Sequence, residues 1–446
     1  MFAYQRKAVA YRGLSKQLAE WSRRVAGFAA PVLRRSALFI FSAAVLMAFV
    51  CVYLVARFVN PRLPWILRDV VVIIGFLFFA AVVAMVGIYA ERKIAGRIQS
   101  RLGPMRSGGW HGWAQSIADG LKFIQKEDLI PRAADPVLFR LAPHIALISA
   151  FTAFAAVPFG VEWTFRNFDV SLLFVLGMHG LEVLGVILAG WASNNKWSLF
   201  GAMREACQMV SYEIPMALSL LVPVMAAGSI NLIVIGQQQH GGWFHWLMFQ
   251  NPFIFLAFFA YGIASLASCK RAPFDLPEGE SELVAGFHTE YSGFRFCMYF
   301  FAEYVTMFVV SALAAIIFLG GWESPFGDPW THGPLWFLVK CCLLIFVQMW
   351  LRWTLPRIRI DQVMHACVKY LLPLTMVLFI GNSLWMLMVT PHHVDIGHFT
   401  RLALGVLFLG SLALVLVAFC VTWALYGYLK SSVLLGHMAR KHLPGS

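Results

Sequence analysis

The stretch KRAPFDLPEGESELVAGFHTEY, residues 270–291, sets five carboxylates (Asp275, Glu278, Glu280, Glu282 and Glu290) and His288 between two of the most apolar segments of a 446-residue chain. Charge is costly near a bilayer, so such a cluster either lies outside the membrane or has work to do there. Asp275, Glu278 and Glu282 are spaced three and four apart and share a face if the segment is helical, whereas Glu280 points away. Like charges so close raise one another's pKa, so the three would titrate together and respond to a nearby charge. Lys270 and Arg271 precede them, and Pro273 with Pro277 prevents one regular helix. A flexible, acid-rich loop suits a conformational switch; a solvated surface loop is the plainer reading.

A second set of charges lies inside apolar segments: Glu182, Glu213, Glu303 and Lys340, with Glu205 near the start of a helix. Each costs several kcal/mol in lipid unless it faces protein or water. Several acids at such depth favour a proton or ion route over simple packing, because desolvation moves a carboxylate towards the range where it exchanges protons. The stretch ERKIAGRIQSRLGP, 91–104, carries Glu91, Arg92, Lys93, Arg97 and Arg101, as a positively charged anchor would. Beyond it, Gln115, Asp119, Lys122 and Lys126 recur at helical steps opposite Trp113, Ile117, Leu121 and Ile124. That pattern predicts an amphipathic helix on the membrane surface. The eight cysteines include no C-x-x-C pair, so no disulfide frame and no zinc, iron–sulfur or other metal site is expected on this chain.

The elements that must position these residues follow from composition. The chain is 60% hydrophobic and 13% charged, with 39 Phe and 16 Trp, which reads as an all-α polytopic membrane protein. Stretches that can cross a bilayer fall near 38–57, 66–90, 138–160, 170–192, 212–235, 253–268, 297–320, 335–351, 370–390 and 402–427, about ten transmembrane helices in all. The net charge of +13 is not clustered as a nucleic-acid footprint; Lys and Arg alternate between loops, and 229–252, 321–334 and 391–400 contain none. The positive-inside rule then puts both termini and the acidic loop on the cytoplasmic side. The basic start before 38–57 is too long for a signal peptide and shows no clear cleavage site, so that segment reads as a retained helix. No internal repeat stands out, against a transporter built from duplicated halves.

The order of motifs carries more than any one of them. ERKIAGRIQSRLGP, IADGLKFIQKEDLIP, GWASNNKWSLFGAMREACQMVSYEIP, KRAPFDLPEGESELVAGFHTEYSGFRF, AEY and RWTLPRIRIDQVMH follow one another across about 66–390. This resembles the quinone-site membrane subunit of respiratory complex I, the NuoH family. The resemblance implies an eight-helix core at 66–390, with a basic extension and extra helix at 1–65 and an extra helix and basic tail at 391–446. It implies a multi-pass subunit of NADH:quinone oxidoreductase, a proton-translocating enzyme of the cell inner membrane. Quinone would be the substrate, and ubiquinone and menaquinone both suit an apolar tunnel.

The iron–sulfur clusters and FMN would sit on hydrophilic peripheral-arm partners, next to small and antiporter-like membrane subunits and lipid; no residue here is assigned to catalysis itself. By the same resemblance, Arg92, Arg101, Asp119, Lys122, Arg271 and Tyr291 would line the quinone path, with Glu127 at its junction. Glu213, Asp275, Glu278, Glu280, Glu282, Glu290 and Glu303 match the family's chain of acids, and Arg352, Arg357, Arg359 and Asp361 its polar segment after the seventh helix. A membrane-bound hydrogenase or formate hydrogenlyase subunit is the alternative reading; a free-standing transporter would need neither the Arg row nor APFDLP. Three departures stand out. Ser268 occupies a position where the family usually has an acid, and Glu182 and Glu205 are acids where many members are neutral. MRSGGWHGW replaces the familiar run after the Gly-Pro turn. One of the two added acids, or a water held by Ser268, would restore the proton link.

Overall fold

The computed structural model describes residues 65–389, apart from 109, 162, 166 and 327–332 and the side chains of 65–72, 110, 280–281 and 388–389. The flanking helices expected at 38–57 and 402–427, and the terminal domains that contain them, lie outside the described residues. Among the described residues every regular element is helical. The principal ones are α1 (Trp65–Ile98), α2 (Gln115–Gln125), α3 (Pro136–Ala155), α4 (Ser171–Ala192), α5 (Lys196–Ala227), α6 (Pro252–Ser268), α7 (Gly293–Phe318) and α8 (Gly333–Thr354). The last, α9, runs from Ile360–Ala366 through a π-helical turn, Cys367–Leu371, into Leu372–Val389. Among the described residues seven helices are long and apolar enough to cross a membrane, and α6 is a shorter apolar one.

Helix starts follow local chemistry. Asp135 accepts from the N–H groups of Val137 and Leu138, Asn195 from Trp197, and Asn251 from Phe253. These caps satisfy donors that the first turn cannot pair internally, and Pro136 and Pro252 sit where a missing N–H costs nothing. Two helices outrun their apolar windows. α1 continues through Glu91 and Arg92 to Ile98, and α5 begins at Lys196 rather than at 212. In both, the added turns carry ionic or polar side chains that find protein partners, which a hydropathy window cannot register.

Lipid removes most of the hydrophobic drive between helices, so close approach depends on small residues. Gly185 on α4 faces α3 so closely that a Cβ there would lie 2.8 Å from the Ala146 nitrogen. The central helix is α7, with 89% of its apolar window buried; it packs against α1, α2, α3, α5, α6 and α8. Phe154 of α3 meets Phe79 of α1 and Phe308 of α7 at centroid separations of 5.8 and 5.4 Å. Lys340 of α8 is buried but satisfied: its ammonium donates to the carbonyls of Leu319 (2.6 Å), Gly321 (3.0 Å) and Glu323 (2.8 Å) and lies 4.2 Å from the Trp246 ring centre. It ties α8 to the chain just past α7, which explains one of the charges in the apolar segments as structural. The amphipathic helix α2 has no buried residue, and Ile117, Leu121 and Ile124 are exposed, as a helix lying on a membrane surface requires.

Candidate functional site

The acidic loop between α6 and α7 is irregular, with a four-residue helical turn at Glu280–Leu283 and a 3-10 turn at Gly286–His288. Pro273, Pro277 and Gly279 break the helical spacing, so Asp275, Glu278 and Glu282 do not share a face. Each has its own counterpart instead. Arg357 donates to Asp275 (3.1 Å), Arg204 of α5 donates to Glu282 (2.5 Å), and His288 Nε2 lies 3.2 Å from Glu278 Oε1. Asn195, the cap of α5, donates to Glu290 (2.5 Å). The side chain of Glu280 lies outside the described residues. Gly286 closes the loop on itself at φ +55°, where an added Cβ would fall 1.7 Å from the Pro277 oxygen.

These separate pairings give separate titrations. Burial, then the charge of Glu278, pushes the Asp275 carboxyl up to about 7 despite Arg357. Burial works the same way on Glu278, but the bond and charge of His288, helped by Arg271 and Lys270, bring it below the ordinary carboxylate range. The hydrogen bond from Arg204 holds exposed Glu282 low. The expectation that all three acids titrate together is therefore corrected: Asp275 and Glu278 interact, and Glu282 answers to Arg204.

Arg271 is only 2% exposed and centres a buried ionic cluster. Its Nη1 donates to Glu91 Oε2 (2.9 Å), and its Nε lies 2.8 Å from Glu303 Oε1. Arg352 donates to the other oxygen of Glu91 (2.6 Å), and the Tyr304 hydroxyl also donates to Glu91 (2.6 Å). The guanidinium carbon of Arg271 is 4.5 Å from the Tyr304 ring centre. Burial disfavours a charged Arg271, but Glu303 and Glu91 more than compensate and hold it cationic. Two arginines face two glutamates, so the formal charges cancel.

The adjacent residue, Lys270, centres a second cluster. It is 5% exposed, and its Nζ lies 3.0 Å from Glu205 Oε1 and 3.3 Å from Glu182 Oε1. Burial opposes its charge too, and Glu205 with Glu182 restores it. Thr306 donates to Glu182 Oε2 (2.7 Å), His179 Nδ1 lies 3.6 Å from the same oxygen, and the other ring nitrogen of His179 bonds the Ser268 hydroxyl. Ser268 is thus joined to Glu182 through His179.

The remaining residues expected in the site are distributed unevenly. Glu213 sits at the α4–α5 contact, where a Cβ on Gly180 would come within 3.2 Å of its carboxylate; it makes no hydrogen bond or ion pair among the described residues. Arg92 of α1 is ion-paired with Asp119 of α2, which links the Arg row to the surface helix. Arg101 and Lys122 are exposed and belong to neither buried cluster; Arg101 bonds Gln99, and Lys122 lies 5.3 Å from the Phe123 ring centre. Glu127 is exposed. Tyr291 is buried, stacked on Phe139 with ring centres 4.1 Å apart, and its hydroxyl donates to the Phe139 carbonyl at 3.3 Å.

Sequence reasoning missed Glu91, His179, Thr306 and Tyr304 as members of these clusters. The pair His179 and Glu182, three apart in an apolar helix, was the one local signal available. The pairing of Glu91 with Arg271 spans 180 positions and leaves no local mark.

A family model described as NADH dehydrogenase matches residues 69–383. A protein of Chlorobium luteolum, named as the H-type subunit of NADH-quinone oxidoreductase, is 48% identical over 333 residues, covering 72% of this chain and 89% of its own. A Geobacillus kaustophilus protein of the same name is 48% identical over 306 residues, 68% of this chain and 90% of its own. One from Anaeromyxobacter dehalogenans, again of that name, is 40% identical over 346 residues, 73% and 83%.

Proposed function

Because the chain belongs to the NADH dehydrogenase family, as a relative of the H-type subunits of NADH-quinone oxidoreductase, we propose that it forms the quinone tunnel and the first part of the proton path of that enzyme. It is a multi-pass membrane subunit of an oxidoreductase complex, and the redox centres are assigned to its peripheral-arm partners. Its place is the cell inner membrane, with the acidic loop and both termini on the cytoplasmic side, where Lys and Arg concentrate. Small and antiporter-like membrane subunits take over where its own acids end.

The observation that carries this reading is a series of paired ionisable side chains that runs from the loop into the helices. Asp275 meets Arg357 at the surface, Arg271 reaches Glu303 on α7, and Lys270 reaches Glu182 on α4 and Glu205 on α5. A negative charge arising beside the loop during quinone reduction would raise the proton affinity of Asp275, already titrating near neutrality. A proton bound there weakens its hold on Arg357, and the loop, bonded residue by residue, transmits the change inward. The Arg92–Asp119 pair and the apolar face of α2 supply one wall of the quinone path, and Arg271 with Tyr291 the inner boundary.

The purified complex should oxidise NADH with a quinone as acceptor; hydrogen evolution in place of quinone reduction would overturn the assignment. In that complex Glu213→Gln should lower the protons moved per quinone reduced by half or more. Quinone reduction and pumping both unchanged would remove Glu213 from the path.

A further inference from the structure

We infer that His179, Glu182, Glu205 and Lys270 form a site that binds one exchangeable proton, joining the loop to the interior of the helix bundle. The inference rests on the proton path proposed above and specifies how that path passes Ser268.

Charge counting comes first. Lys270 contributes one positive charge, Glu182 and Glu205 one negative each, and neutral His179 none, so the group sums to one negative charge. All four side chains are at most 7% exposed. A net charge in so dry a place is costly unless neutralised, and one proton on Glu205 or on His179 removes it. The neighbouring cation supplies no such compensation, since Arg271 faces Glu91 and Glu303.

Hydrogen bonding gives an independent sign. Glu205 is fully buried, and its Oε2 has no donor. A carboxylate oxygen left bare at 0% exposure is where a proton or a water is wanted. Glu182, by contrast, is bonded by Thr306 and paired with Lys270.

The third observation is a path onward. A small cavity of about 10 Å³, the space of roughly one water, is lined by His179, Glu182 and Thr306 at its polar end. Its other walls are apolar residues such as Val175 and Leu313, further from the charged loop along α4 and α7. On the loop side, the Ser268 hydroxyl bonds His179. A proton entering through Ser268 makes one N–H bond on His179. Its transfer breaks an N–H and makes a transient O–H on Glu182, next to the cavity, where the bond from Thr306 and the charge of Lys270 keep the proton from resting, and Lys270 keeps its own protons throughout.

The test uses the intact complex in lipid vesicles, reading protons moved per quinone reduced. Glu205→Gln leaves Lys270 balanced by Glu182 alone, so no proton is called for, and the ratio should fall by half or more. Lys270→Met leaves two facing acids and should also depress it. The double variant Lys270→Met/Glu205→Gln restores the sum of one negative charge and should recover most of the loss, whereas purely structural roles would give damage at least as large as the worse single variant. A double variant no better than Lys270→Met overturns the site. So does wild-type pumping in both Glu205→Gln and Glu182→Gln, provided that Glu213→Gln is impaired. If the wild-type complex moves no protons, or Glu213→Gln is without effect, it is the broader path that fails.

Discussion

Arg271 and Lys270 are neighbours in the chain, both buried, and each lies between two glutamates, yet the two clusters behave as different chemistry. Around Arg271 the charges cancel, with Arg352 as the second cation and Tyr304 as an extra donor. A guanidinium does not release its proton at any ordinary pH, so this cluster is a clamp of constant charge that joins α1, α7 and α8 to the loop. Around Lys270 there is no second permanent cation among the described residues; its place is taken by His179, whose charge is optional. One missing guanidinium separates a brace from a proton site.

The comparison can be broken hardest at Arg271. Arg271→Met leaves Glu91 and Glu303 buried without their shared cation, a loss of about 3–5 kcal/mol, and assembled complex on a native gel should fall to a small fraction of wild type. Thr306→Val takes one donor from Glu182 at a cost of about 1 kcal/mol; assembly should survive, with the change seen in the proton stoichiometry.

Smaller still is an effect of pH. Asp275 in the folded chain holds its proton up to about 7 against an ordinary value of 3.8. Between those limits the folded state binds the extra proton, so this residue's contribution to stability falls as pH rises through that window. Asp275→Asn should flatten that part of the thermal inactivation profile measured against pH. Least affected should be Arg204→Ala, which removes a half-exposed pair with Glu282 worth less than about 1 kcal/mol; a large loss of assembled complex there would mean that the loop's outer contacts matter as much as its buried ones.

Much of the scaffold was legible in the sequence because lipid imposes long apolar runs: α4 spans Ser171–Ala192 where 170–192 was expected. The amphipathic helix was legible for the same reason, since its periodicity is local. The errors lie where tertiary partners decide. Helix α1 carries Glu91 past the apolar run because Arg271, Arg352 and Tyr304 receive it. The acids of the loop were expected to share a face only if the segment were helical, and Pro273 and Pro277 already spoke against one regular helix; what spacing could not supply is that Arg357, His288 and Arg204 take them one by one. Glu182 and Glu205 were singled out in the sequence, but the cation between them and the histidine behind them come together only in three dimensions.

Lys340 has a mechanical consequence. By gripping three carbonyls just beyond the end of α7, it pins that helix at the end away from the loop. α7 is then a lever with a fixed pivot, and Glu303 stands 15 residues from its Phe318 end, about 22 Å at ~1.5 Å per residue. A tilt of about 5° over such an arm sweeps roughly 2 Å, comparable with the difference between a formed and a broken ion pair. Thr306, nearer the pivot, sweeps less, so the same stroke would part Glu303 from Arg271 before it parted Thr306 from Glu182.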